Sequence, residues 1–273
     1  FTEPRPSYNT FVITSTRNPK IQDIRALQNR AKRRREAGAF IIEGIRLAEE
    51  ALAVGWPVQL ALYTGDLPER GQRILRRLRD AKVPLEEVSA DVMAAASDTP
   101  TPQGLLLQLP AGTLELELKL DLVLVLDAIQ DPGNLGTLLR SAVAAGAGAA
   151  LLGPGCADAF SPKVLRAAMG AHFTMPILEW NWGQIGDLLS QRELPLYLAE
   201  VSAGQRYDLV DMTQPIALLV GNEAHGPGDE ARLLAHDGVH IPIPGEAESL
   251  NAAVAGSVLL FEAARQRRAK AAA

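Results

Sequence analysis

The chain has 273 residues, 47% of them hydrophobic, and a formal net charge of −5. Its single cysteine, Cys156, excludes an intrachain disulfide and a cysteine-based zinc site. The apolar runs are shorter than the roughly 18–20 residues that cross a bilayer, and the first residues lack a signal-peptide pattern. We therefore expect a cytoplasmic protein that contacts no membrane.

The charge is unevenly distributed along the chain. Residues 1–110 carry 16 basic and 13 acidic side chains, a net charge of +3, whereas residues 111–273 carry 11 and 19, a net charge of −8. Residues 17–35 include eight basic residues and one acid, Asp23. Because phosphate contacts supply much of the affinity for nucleic acids, this segment is a candidate nucleic-acid-binding surface. A solvated helix face explains a single basic run equally well.

The amino-terminal part alternates between the two kinds of secondary structure. Apolar residues at helical spacing predict helices near residues 21–31, 46–54, 67–82 and 89–96. Short apolar segments at 40–44, 58–63, 84–88 and 104–109 predict extended structure between them. This alternation predicts a small α/β domain over residues 13–110, after an extension at 1–12 and before a linker at 111–120.

The carboxy-terminal part is predicted to span residues 121–268, before a tail at 269–273. It has apolar runs typical of buried parallel strands. They lie at 122–126, 149–153, 195–201, 216–220 and 239–243, with helices predicted at 135–146, 161–170, 182–192 and 252–268. Three of these strands end in polar, glycine-containing loops, near residues 131–134, 221–228 and 244–251. Ligand sites of α/β proteins lie at such strand ends. The loops meet only if their strands are neighbours, which the sequence does not decide.

Common site types are missing from these loops. A Rossmann dinucleotide site requires G-x-G-x-x-G, and a phosphate-binding P-loop requires G-x-x-x-x-G-K-[S/T]. Neither pattern occurs in the chain. The four histidines show no metal-ligand spacing, so we expect no metal site.

Taken together, the three loops resemble the signature motifs of the SpoU/TrmH family of RNA ribose 2′-O-methyltransferases. The motifs are Asp131-Pro-x-Asn134-x-Gly136-x-x-x-Arg140-x-Ala142, then Gly221-Asn-Glu223-x-x-Gly226, then Ile241-Pro-Ile-Pro-Gly245 with Ser249-Leu250-Asn251. Asn18-Pro19, the basic run and Phe40-Ile-Ile-Glu43-Gly44-x-Arg46-Leu47 resemble the substrate-binding domain of the ribosomal-RNA members. The resemblance covers nearly the whole chain beyond the first dozen residues.

The resemblance implies a fold and partners. The expected fold is α/β, with a carboxy-terminal parallel-sheet domain that contains a deep trefoil knot (the SPOUT fold) and a smaller amino-terminal L30e-like α/β domain. The knotted loops are expected to bind S-adenosylmethionine through Gly221, Ile241 and Leu250. The family forms homodimers that share active-site residues across the interface. The added amino-terminal domain favours 23S ribosomal RNA as the substrate, with tRNA as the alternative.

The resemblance also implies roles for individual side chains. Arg140 is expected to activate the ribose hydroxyl, either as a base or as a charged clamp for the phosphate and the developing alkoxide. Asn134 and Asn251 are expected to orient the substrate or Arg140, and Glu223 to hold the loops or Asn134 in place. Ser249 is a site residue, the N-cap of the last helix, or both. RNA contacts are expected from the basic residues of the amino-terminal domain, Arg33, Arg34, Arg35 and Arg46.

One departure and two rival functions accompany this interpretation. Where relatives often have Arg-Ala-Ser-x-Gly-Ala, this chain has alanine at Ala168, which changes local packing and removes a hydroxyl. The first rival is a non-catalytic RNA-binding or ribosome-assembly protein with the same fold, and the intact motifs argue against it. The second is a nucleotide-binding oxidoreductase, which the missing glycine fingerprint disfavours.

Overall fold

The computed structural model describes residues 12–112, 114–201, 203–222 and 226–272. The chain divides into two compact units, residues 1–112 and 113–273. No helix in the described part of the chain is both long enough and apolar enough to span a membrane. Glu223, which the second motif predicts as a site residue, lies outside the described residues.

The amino-terminal unit is a mixed sheet covered by helices. Its elements in chain order are α1 (Pro19–Asn29), α2 (Ala31–Ala37), β1 (Ala39–Glu43), α3 (Ile45–Ala53), β2 (Leu60–Tyr63), α4 (Glu69–Asp80), β3 (Leu85–Glu87), α5 (Ala90–Ala96) and β4 (Leu105–Pro110). The strand order is β1-β4-β2-β3, in which β4 runs antiparallel to both of its neighbours and β2 is parallel to β3. The predicted α/β character of this unit is therefore correct.

Helices lie on both faces of this sheet. Apolar residues of α1 and α5 pack in one core cluster with Ile41, Leu62 and Leu106. Successive strand residues point to opposite faces, so Ile42, Tyr63 and the flanking residues of β4 face the other side. Helix α3 contacts β1 and α4, and α4 contacts β3, while their buried residues lie outside the α1/α5 cluster. Helices α3 and α4 therefore cover the second face.

The carboxy-terminal unit is built on a parallel sheet. Its elements are β5 (Leu122–Leu126), α6 (Pro132–Ala145), β6 (Ala149–Leu152), α7 (Pro162–Ala168), a 3₁₀ turn (Ala171–Phe173), β7 (Ile177–Glu179), α8 (Trp182–Gln191), β8 (Leu196–Glu200), β9 (Gln205–Arg206), β10 (Ile216–Val220), α9 (Asp229–Leu234), β11 (Asp237–His240) and α10 (Ala252–Ala271). Within the described residues the order is β7-β6-β5-β10-β8-β11-β9, and every strand pair is parallel. The predicted parallel-sheet α/β fold is confirmed, and the knot stays a prediction.

The strand order decides which motif loops are neighbours. Strands β5 and β10, which carry the first two motifs, lie side by side, and all of their residues are buried. Strand β11, which precedes the third motif, is separated from β10 by β8. The three loops therefore leave the same edge of the sheet, because the carboxyl ends of parallel strands share an edge.

Close packing places α10 against α6 and the sheet. A Cβ atom added at Gly256 of α10 would lie 2.4 Å from Leu138 Cδ2 and 2.8 Å from Val220 Cγ2. The hydroxyls of Ser141 on α6 and Ser257 on α10 are 2.8 Å apart. Glycine and serine thus bring the two helices together, and their amino-terminal ends converge above β10.

Several local predictions differ from the structure. The helix predicted near residues 21–31 ends at Asn29, because Arg30 adopts an extended conformation with φ −130° and ψ 109°, and α2 begins after it. Strand β9 and helix α9 were not predicted. The last strand ends at His240 instead of residue 243, and α10 continues to Ala271.

Candidate active site

The loop after β10 folds back on its first residue. A Cβ atom at Gly221 would lie 2.4 Å from the backbone nitrogen of Pro227 and 2.6 Å from the carbonyl carbon of Gly226. Real side chains do not tolerate such distances to main-chain atoms, so only glycine fits at this position. Gly221, Gly226 and Pro227 thus place main-chain atoms in close contact, and they form a backbone wall.

This wall borders a cavity of about 430 Å³. The three residues predicted to bind the cofactor, Gly221, Ile241 and Leu250, all line it. Ser249 lines it as well, together with apolar side chains of β11 and α10. The structure therefore brings the second and third motifs to one cavity, although their strands are not adjacent.

The amino-terminal ends of α6 and α10 meet beside this cavity. Asn251 donates a hydrogen bond from Nδ2 to Oδ1 of Asn134 over 3.1 Å. Asn251 is also the N-cap of α10, because its Oδ1 accepts from the backbone N–H groups of Ala253 and Val254. The residues on either side of Asn251, Leu250 and Ala252, line the cavity. The predicted pair Asn134 and Asn251 is thus assembled at the cavity's edge.

The start of α6 is held in a similar way. Asp131 caps the helix by accepting from the backbone N–H of Asn134 over 2.8 Å. This hydrogen bond lowers the pKa of the Asp131 carboxyl below its ordinary value, with a smaller contribution from the positive charge of Lys163. The carboxylate therefore stays ionised and keeps Asn134 in the first turn of the helix.

Two long-range hydrogen bonds join the first and second motif loops. The carboxylate of Asp127, only 6% exposed, accepts from the backbone N–H of Gly228 over 2.7 Å. Asn222 donates from Nδ2 to the carbonyl oxygen of Ala128 over 3.0 Å. Ala128 has a φ of +51°, a conformation that non-glycine residues adopt rarely and at a cost. The loops hold each other in place through these contacts.

Arg140 lies apart from this asparagine pair. It follows Asn134 by six residues on α6, which is about 9 Å along the axis and on a different side of the helix. Its side chain is exposed, and it makes no hydrogen bond or ion pair with any described residue. The arginine therefore faces outward within a single copy of the chain.

Ser249 does not cap the last helix. Helix α10 begins at Ala252 with Asn251 as its N-cap, so the capping alternative considered for Ser249 is wrong. Ser249 is exposed and lies on the wall of the cavity. Its hydroxyl is therefore in a position to contact a ligand.

Ala168, where relatives often have serine, belongs to the core. It is 1% exposed and packs with residues of α6, and it does not line the cavity. A Cβ atom at Gly136 would lie 2.4 Å from Ala167 Cβ and 3.0 Å from the Ala168 nitrogen, so α6 and α7 are in close contact here. The absence of a serine hydroxyl at Ala168 therefore affects packing in the core and does not change the cavity wall.

The remaining reactive side chains of this unit are structural. Burial raises the pKa of the Cys156 thiol to about 11, which makes it a poor nucleophile at neutral pH. Burial lowers the pKa of His172 to about 4, and its Nε2 lies 2.7 Å from the carbonyl oxygen of Ala159, to which it donates. Within the described ranges, no three histidine, cysteine or acidic side chains lie close enough together to bind a metal ion.

The structure adds two cavity residues that the sequence did not suggest. Glu200, at the end of β8, and Arg232, on α9, both line the cavity and form an ion pair. Arg232 also donates from Nε to the carbonyl oxygen of Pro227 over 3.0 Å, so it supports the backbone wall. A signal for Glu200 existed, because it lies at the end of a predicted strand.

The four predicted RNA-binding arginines lie in different environments. Arg35 and Arg46 are exposed. Arg33 forms a two-pronged contact with Asp23, at 3.0 Å from Nε and 2.7 Å from Nη2. Arg34 is only 6% exposed, and its Nη1 donates to the carbonyl oxygens of Leu27 and Gln28 at the end of α1. Burial removes Arg34 from the candidate RNA surface and gives it a capping role.

Two family models match the chain. The model of the SpoU rRNA Methylase family matches residues 121–261, and the model of the MRM3-like substrate binding domain matches residues 18–107. These ranges fall within the two structural units.

Several known proteins are similar along almost the whole length. The Bacillus subtilis 23S rRNA (guanosine(2553)-2′-O)-methyltransferase RlmP is 37% identical, over 91% of this chain and 97% of the relative. The Streptomyces viridochromogenes 23S rRNA (uridine(2479)-2′-O)-methyltransferase is 33% identical, over 93% and 92%. The crystal structure of AviRb from the same organism, in complex with the cofactor AdoMet, superimposes with a TM-score of 0.84 at 29% identity, over 92% of this chain and 100% of that one.

Fold, cavity and matches together define an RNA 2′-O-methyltransferase that depends on S-adenosylmethionine. The chain belongs to the SpoU rRNA methylase family. The predictions of this family, of the enzyme class and of the cofactor are therefore confirmed.

Proposed function

We propose that the protein methylates a ribose 2′-hydroxyl of 23S ribosomal RNA as a homodimer, in the cytoplasm where ribosomes assemble. The observation that carries this proposal is the cavity beside the Asn134–Asn251 hydrogen bond. The RNA assignment is supported by the relatives, whose names specify 23S rRNA, and by the match to a substrate-binding domain at residues 18–107. A tRNA substrate is the alternative.

The cavity suits S-adenosylmethionine, which supplies an electrophilic methyl group when bound. Ile241, Leu250 and Leu259 offer apolar surface for a purine ring, and the wall at Gly221 offers backbone groups that no side chain covers. Gly221, Ile241 and Leu250 are the residues that we assign to cofactor binding. Ser249, on the same wall, is assigned to the edge at which the ribose enters.

The asparagine pair orients the substrate. The hydrogen bond from Asn251 fixes the Asn134 amide, and the N-terminal ends of α6 and α10 both point their positive dipole ends at this place. A ribose–phosphate is attracted there by the dipoles and held by the amide. Glu223, by its place in the motif, is assigned to supporting the loop.

Arg140 acts on the reacting hydroxyl as a cation. Guanidinium groups do not lose their proton in proteins, so a role as base is disfavoured. A positive charge next to the 2′-oxygen stabilises the alkoxide that develops as the proton leaves and the methyl group is transferred. The same group binds the adjacent phosphate through its planar fork.

The outward direction of Arg140 supports a site shared by two copies. Near it, α10 exposes an apolar stripe of Val254, Val258 and Phe261, with Val254 50% and Phe261 47% exposed. The contact between Ser141 and Ser257 brings the part of α6 that follows Arg140 next to this stripe. A second copy docked there would cover the stripe and bring in Arg140 from its own α6.

The first experiment tests the reaction. Purified protein, S-adenosylmethionine with a labelled methyl group and unmodified 23S rRNA should give a 2′-O-methylated nucleotide whose backbone linkage resists alkali. Arg140→Ala should lower turnover by at least about 100-fold, the size typical of a lost charge stabiliser, while S-adenosylmethionine binding stays within threefold. Arg140→Lys keeps partial activity if charge alone matters and none if the planar fork is needed.

The control variant for Arg140→Ala is Arg268→Ala. Arg268 is an exposed arginine on α10, 17 residues beyond Asn251 and therefore about 25 Å along the axis. This variant should keep full turnover. Label recovered on a base, with normal alkaline cleavage at the modified nucleotide, would falsify the ribose assignment.

The second experiment tests the dimer. Phe261→Glu should give a monomer in light scattering and lose turnover, because a charge on the stripe opposes burial against a second copy. Leu118→Glu introduces the same charge at a side chain that is 88% exposed and outside the stripe, and it should remain dimeric and active. A wild-type protein that is monomeric at micromolar concentration contradicts the shared site.

A further inference from the structure

A second basic surface lies on the amino-terminal unit, on helix α4. Five of its twelve residues are arginine and two are acidic, which gives the helix a net charge of +3. All five arginines, Arg70, Arg73, Arg76, Arg77 and Arg79, are exposed. The buried stripe of Gly71, Ile74, Leu75 and Leu78 holds the helix on the sheet. The outer surface of α4 therefore consists largely of guanidinium groups.

The surroundings neutralise only part of this charge. Arg70 pairs with Glu49 of α3, and Arg73 pairs with Glu69 over 3.0 Å. Arg77 donates to the carbonyl oxygen of Leu52 over 3.0 Å, which leaves its charge uncompensated. Arg76 and Arg79 make no hydrogen bond or ion pair with any described residue. The two ion pairs are exposed and therefore weak, so these arginines can exchange them for a stronger anion.

Helix α4 lies on one face of the amino-terminal sheet. The first basic segment, which is residues 17–35, lies on the other. Helix α1 packs with α5 on one face, and α4 packs with α3 on the other. A straight RNA strand that contacts α1 and α2 does not reach α4, because the sheet and its covering helices separate the two surfaces. The two basic surfaces need two different segments of nucleic acid.

We propose that α4 binds the phosphate backbone of a second segment of the folded RNA substrate. The proposal rests on the assignment of RNA as the substrate. Arginine is the residue that binds phosphate through two parallel hydrogen bonds, and α4 contains five arginines and no lysine. The charge is specific to this place, because the protein as a whole has a net charge of −5. The arginines extend over about 14 Å of helix axis, which suits a row of phosphates.

This arrangement selects for a class of substrate. A short hairpin or an isolated strand contacts one of the two surfaces, whereas a large folded RNA presents two segments to opposite sides of the unit. The geometry thus favours a site within folded ribosomal RNA over a small oligonucleotide. The amino-terminal unit lies between two RNA segments and contacts both of them.

The test substitutes the two arginines that have no partner among the described residues. Arg76→Gln/Arg79→Gln retains helix propensity and side-chain length while it removes two charges. Binding to protein-free 23S rRNA is measured at several salt concentrations, with no cofactor present. The slope of log K against log salt should fall by about 1.4 to 1.8 units, because each phosphate contact contributes about 0.7 to 0.9. Circular dichroism and S-adenosylmethionine affinity should match the wild type.

The matched control removes two charges elsewhere. Arg268→Gln/Lys270→Gln lies on the exposed end of α10 and should leave the slope within about 0.3 units of the wild type. Arg25→Gln/Lys32→Gln changes two exposed residues of the first basic segment, and its effect should add to that of the α4 pair when all four are combined.

Three results would overturn the inference. An unchanged slope for the α4 pair makes this helix a solvated surface or a contact for an acidic protein. An equal loss in the α10 control makes the effect one of general charge. A loss that does not add to that of Arg25 and Lys32 means that the RNA binds the two surfaces alternately and not at the same time. Because the readout is binding without turnover, failure of methyl transfer on the same RNA is a separate result.

Discussion

The proposed cofactor cavity and the arginine surfaces of the amino-terminal unit are built from different groups. One wall of the cavity is main chain, and it is held by contacts such as Gly221 against Pro227 and Asn222 with Ala128. The proposed RNA-binding surfaces are exposed side chains on helices, such as Arg76 and Arg79 on α4. A wall made of backbone changes its shape when one methyl group is added, whereas an arginine surface loses one contact at a time.

The largest effect should come from Gly221→Ala. The added Cβ atom would lie 2.4 Å from the Pro227 nitrogen, so the loop must move. Overpacking of this kind costs about 2 kcal/mol, and S-adenosylmethionine binding should weaken at least about 30-fold in calorimetry. The unfolding midpoint should change less, because the loop can open without unfolding the core.

Gly245→Ala is the matched control, since it lies in the third motif loop and a Cβ atom there meets nothing within 4 Å. This variant should bind the cofactor within threefold of the wild type. Equal losses of cofactor affinity in the two glycine variants would show that the effect comes from loop flexibility. The close backbone contact at Gly221 would then not be the cause.

A smaller effect should distinguish Arg34 from Arg35, which are adjacent residues of α2. Arg34→Met removes the donor to the carbonyl oxygens of Leu27 and Gln28, and it should destabilise the protein by about 2 kcal/mol in urea unfolding. Arg35→Met should leave stability within about 0.5 kcal/mol and lower the salt slope of RNA binding by about one unit. The reverse pattern, with Arg35 essential for stability, contradicts the assignment of Arg34 as a cap.

Local signals in the sequence predicted where the polar, glycine-containing loops lie, at the ends of buried strands. The roles of Gly221, Asn134 and Asn251 came from the motif resemblance; in the structure Gly221 lines the cavity and the two asparagines contact each other. The order β5-β10-β8-β11 could not be predicted, because it depends on contacts far apart in the chain. The family resemblance supplied the knowledge that these loops belong together.

The arginine surfaces were harder to predict, since the number of charges does not say which are exposed. The basic segment 17–35 looked uniform, but the chain breaks at Arg30, and the turn buries Arg34 against α1. Helix α4 is less conspicuous in the sequence, because its arginines alternate with apolar residues that hold the helix on the sheet. Only the fold shows that this helix lies on the opposite face.

The hydrogen bond between Asn134 and Asn251 joins residues that are 117 positions apart in the chain. A ribosome adds about 5–20 residues per second, so roughly 6 to 23 s of synthesis separate the two asparagines. During that time α6 and its motif are already made while α10 is not. A nascent chain therefore lacks the Asn134–Asn251 contact of the proposed site until nearly all of the described chain has been made.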